Sequence, residues 1–239
     1  MIILGLAGQA GAGKDTCADY LVERYDFVKF AFSDALYAEV QAAYGLEDQE
    51  LLRDRATKEM RTERLRLDIC TDVDFVDIAI TALEALDDGN RTLGPLIRNR
   101  ALSPRQVLQW WGTEYRRAQD PDYWLKKNDE WLESVRRLFP YPEQAPQCFV
   151  NTTCRFPNEQ AWIHAKGGNV WHIRRGGHGA INAHVSETQL PLLEGERELY
   201  NNDTIERLYM GVDLLMSTSA RFVRVEPMDE TTQETTDAS

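Results

Sequence analysis

No CxxC pair occurs in this 239-residue chain, and its four cysteines (Cys17, Cys70, Cys148, Cys154) share no zinc-like spacing with its four histidines. That excludes a disulfide framework and a ribbon- or finger-type zinc site. Reduced thiols are expected, with a Cys148–Cys154 disulfide as the alternative. Apolar runs are short, none approaching the roughly 20 residues of a membrane-spanning helix. The apolar opening M-I-I-L-G-L-A meets a glycine-rich turn and not a cleavage site. A cytoplasmic protein without membrane contact is therefore expected. Basic residues are scarce: 27 Lys and Arg against 39 Asp and Glu leave a net charge of −12. A surface this acidic repels a nucleic-acid backbone, so polymeric nucleic acid is not an expected partner. Local basic groups, such as Arg98 with Arg100 and Arg174 with Arg175, can still line a positive pocket for a small anion.

The hydrophobic fraction of 43% and aromatic fraction of 10% supply a sizeable core without staples. Strands are expected at residues 2–7, 27–32, 148–152, 169–173, 197–200 and 222–225. Helices are expected at 15–25, 34–44, 71–86, from Pro104 toward Arg117, from Pro121, from Pro157 and at 204–216. Ser33 and Asp34 form an N-cap pair, and Ser103-Pro104-Arg105-Gln106 has the form of a capping box with proline at the first helical position. Residues 47–68 are densely charged and helical in propensity. Strands alternating with helices imply an α/β fold, a largely parallel sheet covered on both faces. We read one domain over residues 1–225, with a helical insertion at about 45–140. Residues 175–194, rich in Gly, His and Ser and without periodicity, suit a lid. Residues 226–239, acidic and Thr-rich, have little to bury and read as a disordered tail.

The most specific signal is G-Q-A-G-A-G-K-D-T at residues 8–16, which matches the first seven positions of a Walker A loop. Such a loop needs Gly8, Gly11, Ala12 and Gly13 small so that backbone N–H groups can wrap a phosphate chain. A helix N-terminus behind it favours negative charge, and Lys14 reaches the β- and γ-phosphates. Asp15 stands where Ser or Thr usually contacts Mg²⁺. A carboxylate is a good hard-cation ligand, so Asp15 is the metal candidate. Thr16 can offer its hydroxyl to the α-phosphate. ATP and Mg²⁺ are the expected cofactors.

The run from Gly13 to Asp19 is similar to the phosphate loop of the deoxynucleoside monophosphate kinases of tailed bacteriophages. L-S-P-R-Q-V-L-Q-W-W-G-T-E at residues 102–114, followed by Arg117 and D-P-D-Y-W ending at Trp124, resembles the central motif of that family. R-F-P-N-E from Arg155 to Glu159 resembles another. His184 with Glu187, and Asn201 before the last long helix, are weaker matches. The resemblance covers both ends and the middle of the chain and leaves residues 47–98 without a motif. It implies a P-loop kinase core, a helical acceptor-binding region and a lid, acting on a deoxynucleoside monophosphate in the (host) cytoplasm. A homodimer is compatible with it. The family pattern has aspartate where this chain has Thr153, and Asp15 or Asp34 are the carboxylates that could take its place. Dephospho-coenzyme A kinase shares the general plan, so another small acceptor is the alternative substrate. A nucleotide-binding regulator is the alternative of a different class.

The resemblance marks Asp34, Arg105, Gln109, Arg117, Trp124, Arg155 and Glu159 for the acceptor, and Lys14, Arg155 and Arg174 for catalysis. Asn201 falls on the donor side. Each has a second reading. Arg105 and Gln109 share a helical face that either grips the acceptor or is solvated. Straight helical spacing aligns Arg116 with Arg105, whereas the family pattern selects Arg117. Arg155 either clamps a phosphate or pairs with Glu159, its i+4 neighbour. Arg174 and Arg175 are either lid cations that neutralise the transferring phosphoryl group or solvated loop arginines. Asn201 either hydrogen-bonds adenine or caps a helix. Trp110 or Trp111 either stacks on a base or belongs to the core.

Overall fold

A computed structural model describes residues 1–86, 97–176 and 190–219. These residues divide into two compact units, one drawn from 1–32, 131–176 and 190–219 and the other from 33–86 and 97–130. The first holds a five-stranded sheet of strands β1 (Ile2–Ala7), β2 (Val28–Phe30), β3 (Cys148–Cys154), β4 (Asn169–Arg174) and β5 (Arg197–Tyr200). Every pairing is parallel and the order is β2-β3-β1-β4-β5. The α/β reading is right. β1 and β4 are almost wholly buried, as strands covered on both faces must be.

The core of this unit gathers Leu4 and Leu6 of β1, Val150 of β3 and Trp171 of β4. Helices α1 (Lys14–Tyr25) and α8 (Ile205–Thr218) add Cys17, Leu21, Leu208 and Val212. Burial pushes the Cys17 thiol up to about 12, so it behaves as a packing group. All four cysteines are free. Helix α7 (Pro157–Ala165) begins where its sequence says it should, with proline in the first turn and Glu159 reaching back to the chain before it.

The second unit is helical, with helices α2 (Asp34–Tyr44), α3 (Glu50–Arg53), α4 (Val73–Leu86) and α5 (Pro104–Gln109). A π-helical stretch, Trp110–Arg117, continues α5, and α6 (Tyr123–Arg137) follows, its residues from 131 on counting with the first unit. This unit has its own core, in which Phe75, Trp111 and Tyr115 pack ring against ring. The expected capping box forms: Gln106 N–H donates to Ser103 Oγ at 3.3 Å and Ser103 N–H to Gln106 Oε1 at 3.1 Å.

Three local expectations are corrected. Ser33 precedes α2 but makes no side-chain cap. Residues 47–68 form only α3 and a single 3₁₀ turn, Glu63–Leu65. Their short polar side chains form local bonds instead: Asp54 accepts from the backbone N–H of Ala56 and from the Thr57 hydroxyl, and Thr62 from the Arg64 N–H. These bonds compete with a helix ladder. The helix from Pro104 changes to π geometry at Trp110. The expected strand 222–225, the tail 226–239, His184, Glu187 and most of the expected lid (177–189) lie outside the described residues.

Candidate active site

β1 delivers the chain into the phosphate loop at the carboxyl edge of the sheet, between β3 and β4. Ligands of parallel α/β sheets bind at such an edge, where the strand order reverses. Two glycines here are obligatory. Gly8 has φ +146°, and a Cβ on it would lie 2.4 Å from the Ile173 carbonyl oxygen. Gly13 has φ +103°, and its Cβ would lie 2.3 Å from Asn201 Nδ2. Gly13 also occupies the N-cap of α1, with Asp15 in the first turn. Lys14 Nζ donates to the carbonyls of Gly8 (2.7 Å) and Gln9 (2.9 Å), which holds its charge at the mouth of the loop.

The strand register brings further groups to this edge. Ala7 stands beside Cys154 and His172, so Arg155 leaves β3 one residue beyond the position paired with the residue before Gly8. Arg155 is exposed, and among the described residues its guanidinium has no carboxylate partner. Glu159 is not that partner. It is 2% exposed, and Oε2 accepts the backbone N–H of Arg155 (2.7 Å) and of Phe156 (3.1 Å). Arg174, at the end of β4, hydrogen-bonds Glu198 on β5 at 2.9 Å. That bond, with a second from Tyr200, holds the Glu198 carboxyl below its ordinary range. Arg175 points the other way, its Nη1 lying 3.4 Å from the Gly11 carbonyl of the loop. A cavity of about 260 Å³ opens here, lined by Gln9, Ala12, Arg174, Arg175, Tyr200 and Asn202 among others. Asn201 braces the loop, donating from Nδ2 to the Ala12 carbonyl at 2.9 Å.

The one carboxylate of the loop, Asp15, is 58% exposed and lies 3.6 Å from Lys29 Nζ, which binds Asp19 more closely at 2.8 Å. Among the described residues no group of three or more His, Cys, Asp or Glu is placed to hold a metal. Mg²⁺ needs no such cage, since it binds through one or two carboxylates plus substrate phosphates and water. Asp15 fits that pattern. Thr153 does not: its Oγ1 accepts the Phe32 N–H at 2.9 Å.

In the helical unit, Asp34 pairs with Arg53 at 3.0 Å and Arg105 pairs with Glu59. Gln109 closes α5 and is partly buried. Trp124 is 3% exposed and donates its indole N–H to the Gly112 carbonyl at 3.1 Å. Trp111, 1% exposed, is a core residue. Arg116 turns inward, with Nε 2.8 Å from Glu39 and Nη2 3.6 Å from Asp72. Its guanidinium lies over the Tyr115 ring at 4.2 Å. The π stretch explains why Arg116 and not Arg117 is drawn in. Each π bond spans five residues instead of four, so the chain turns only roughly 80° per residue. Over Trp110–Arg117 that lag brings Arg117 back to within roughly 20° of the Arg105 direction and swings Arg116 roughly a quarter-turn away.

The profile of the deoxynucleotide monophosphate kinase family matches residues 72–212. The chain belongs to that family, whose members are transferases. The matched stretch contains Arg105, Arg117, Arg155, Arg174 and Asn201 and begins after the phosphate loop. Three relatives carry the name deoxynucleotide monophosphate kinase, the first of them with the qualifier "putative". That one, from Acanthamoeba polyphaga mimivirus, is 27% identical over 221 residues, covering 89% of this chain and 94% of its own. One from Enterobacteria phage T4 is 21% identical over 241 residues, covering 89% and 97%. One from Escherichia phage RB69 is 27% identical over 120 residues, covering 49% and 46%.

This family member thus gathers Lys14, Arg155, Arg174 and Asn201 at one sheet edge, together with Gln9, Arg175, Tyr200 and Asn202. Sequence reasoning does not single out Gln9, Tyr200 or Asn202. It offers Arg175 beside Arg174, but only the folded strand end reveals which of the two faces the loop. Tyr200 and Asn202 carry one signal, their place at the end of a strand. Gln9 occupies a variable loop position and carries none.

Proposed function

We propose that this chain transfers the γ-phosphate of ATP to the phosphate of a deoxynucleoside monophosphate in one in-line displacement. The reading rests above all on Arg155, an exposed guanidinium at the strand end beside the phosphate loop. A loop that only binds nucleotide needs no such second cation.

The loop N–H groups and Lys14 hold the β- and γ-phosphates, and the Thr16 hydroxyl takes the α-phosphate. The cavity beside Gln9 and Asn202 receives the donor's nucleoside, with Arg175 at its rim. Asp15 would hold Mg²⁺, an ion that would supply positive charge to offset the negative charge of the phosphate chain. Arg105, Gln109 and Arg117 belong to the acceptor, and Arg155 faces the phosphoryl group in flight. An acceptor phosphate oxygen, already anionic at neutral pH, attacks γ-phosphorus, so no general base and no covalent enzyme intermediate are required. Rate comes from positioning and from cations fixed where charge is redistributed.

The test is a thin-layer assay of ATP with each of the four deoxynucleoside monophosphates and with dephospho-coenzyme A. ADP and a deoxynucleoside diphosphate are the expected products. Turnover of dephospho-coenzyme A alone would replace the acceptor, and nucleotide binding without any transfer would replace the activity.

A further inference from the structure

Residues 53–66 (R-D-R-A-T-K-E-M-R-T-E-R-L-R) carry six basic and three acidic side chains in a protein of net charge −12. They match no motif and lie outside the stretch covered by the family profile. Their backbone is nevertheless fixed. The Lys58 carbonyl accepts the Arg105 N–H at 3.0 Å and the Leu102 carbonyl accepts the Thr62 N–H at 3.0 Å, so the segment is clipped to the start of α5 at two points. The first clip satisfies one of the orphan donors of that helix. The Arg105 guanidinium, paired with Glu59, joins the same segment from its side chain.

Two cations of this segment meet on one aromatic ring of α2. The Arg53 guanidinium carbon lies 4.2 Å from the centroid of the Tyr37 ring, and Lys58 Nζ lies 5.7 Å from it. Lys58 also donates to Tyr37 OH at 3.1 Å, and Arg53 reaches Asp34 at 3.0 Å. Arg53 is about half exposed, and Lys58 and Tyr37 are partly so. Stacking fixes the plane of a guanidinium while leaving its edge N–H groups able to grip an anion. A phosphate dianion is a stronger partner for that fork than a single carboxylate, so Arg53 can exchange Asp34 for phosphate without leaving the Tyr37 ring.

We propose that Arg53 and Lys58, ordered by Tyr37, bind the phosphate monoester of the acceptor alongside Arg105. This deepens the acceptor reading above and rests on it. It also gives a role to the otherwise unassigned segment that runs from the last residue of α3 toward α4, which brings two more cations to the helices that carry Asp34 and Arg105.

The experiment is calorimetric titration of the full chain, without ATP, with each of the four deoxynucleoside monophosphates. ATP binding and a melting curve are measured on the same samples. Arg53→Gln and Lys58→Met should each weaken monophosphate binding at least tenfold while ATP affinity stays within twofold. Arg53→Lys, which keeps the charge but loses the planar fork, should recover only part of the loss. Inorganic phosphate should compete with the monophosphate for the wild type and fail to do so for the double variant. Unchanged monophosphate affinity in both single variants, with a wild type that binds, overturns this proposal and leaves the acceptor reading standing. A wild type that binds ATP but no monophosphate overturns both. If Arg53→Gln melts early, Lys58→Met and the phosphate competition decide the matter by themselves.

Discussion

The side-chain amide of Asn201 donates to the main-chain carbonyl of Ala12 at 2.9 Å, joining the phosphate loop to the residue that follows β5. The same amide sits where a Cβ on Gly13 would be, so loop and brace are fitted to one another. Asn201→Ala should release the Ala12 turn and raise KM for ATP about fivefold, the equivalent of one lost hydrogen bond at about 1 kcal/mol. Steady-state kinetics with ATP varied checks this, and an unchanged KM would make the amide contact incidental.

Lys14→Ala should reduce turnover by about 10²–10³ or more, the range found when one preorganised charge-stabilising donor is removed. The melting temperature should hold, because the ammonium donates to carbonyls of its own loop and fills no core position. Pairing the assay with a melting curve separates loss of chemistry from loss of fold.

Asp15 is read as the Mg²⁺ ligand, and the Lys29 ammonium lies 3.6 Å from its carboxylate. Asp15→Ala should raise the Mg²⁺ concentration needed for half-maximal rate, and Asp15→Ser should restore part of the loss. Lys29→Met should act in the opposite direction, since it removes a charge that competes with the metal. Magnesium titrations of the three variants give the answer; three superimposable curves would free Asp15 from any metal role.

Arg155→Ala should cost about 2–4 kcal/mol of transition-state stabilisation. The loss should fall in kcat/KM for the monophosphate, with ATP affinity nearly unchanged. Arg155→Lys should recover only a fraction, because it keeps the charge but loses the planar fork. Glu159→Gln serves as the contrast: Glu159 holds backbone N–H groups, so that variant should lower the melting temperature and alter kinetics less.

Glu196 supplies the pH dependence of stability. Its side chain is fully buried and accepts from Leu193 N–H (2.8 Å), Gln160 Nε2 (2.8 Å), His164 Nε2 (2.7 Å) and His172 Nε2 (2.7 Å). Burial alone would raise its pKa, but the hydrogen bonds outweigh it and hold the carboxyl below the ordinary value of 4.5. A depressed folded-state pKa means that the stabilisation is complete above the unfolded value and is lost as pH falls through the lower folded one. The melting temperature should therefore fall below about pH 4.5, and Glu196→Ala should flatten that fall while costing about 3 kcal/mol at neutral pH. Melting curves from pH 3 to 7 test both parts.

What the sequence discloses follows the range of the interactions involved. The phosphate loop, the Ser103 capping box, the start of α7 and the strands Ile2–Ala7 and Arg197–Tyr200 are written in neighbours a few residues apart, and they are legible. The π stretch is not, because nothing in W-W-G-T-E-Y-R-R specifies a five-residue bond. Without it, Arg116 falls on the face of Arg105. With it, Arg117 does, while Glu39 and Asp72 claim Arg116 from 77 and 44 residues away in the chain. The side-chain bonds at Asp54 and Thr62 override the helical propensity of residues 47–68. The family resemblance offers Asn201 for the donor side with a helix cap as the other reading, and neither discloses its hold on Ala12, which depends on contact across 189 residues.

The sheet order also sets a timetable. β1 is the earliest strand in the chain, yet it lies between β3 and β4, so its backbone finds both neighbours only after residues 148–154 and 169–174 exist. Closing loops of that length carries an entropic cost before any contact repays it, and such non-local parallel pairing is slow to form. During synthesis, Ile2–Ala7 must therefore wait, apolar and without strand partners, while more than half of the chain is made. Ala12 of the glycine-rich loop is likewise made long before Asn201, the residue whose amide holds its carbonyl.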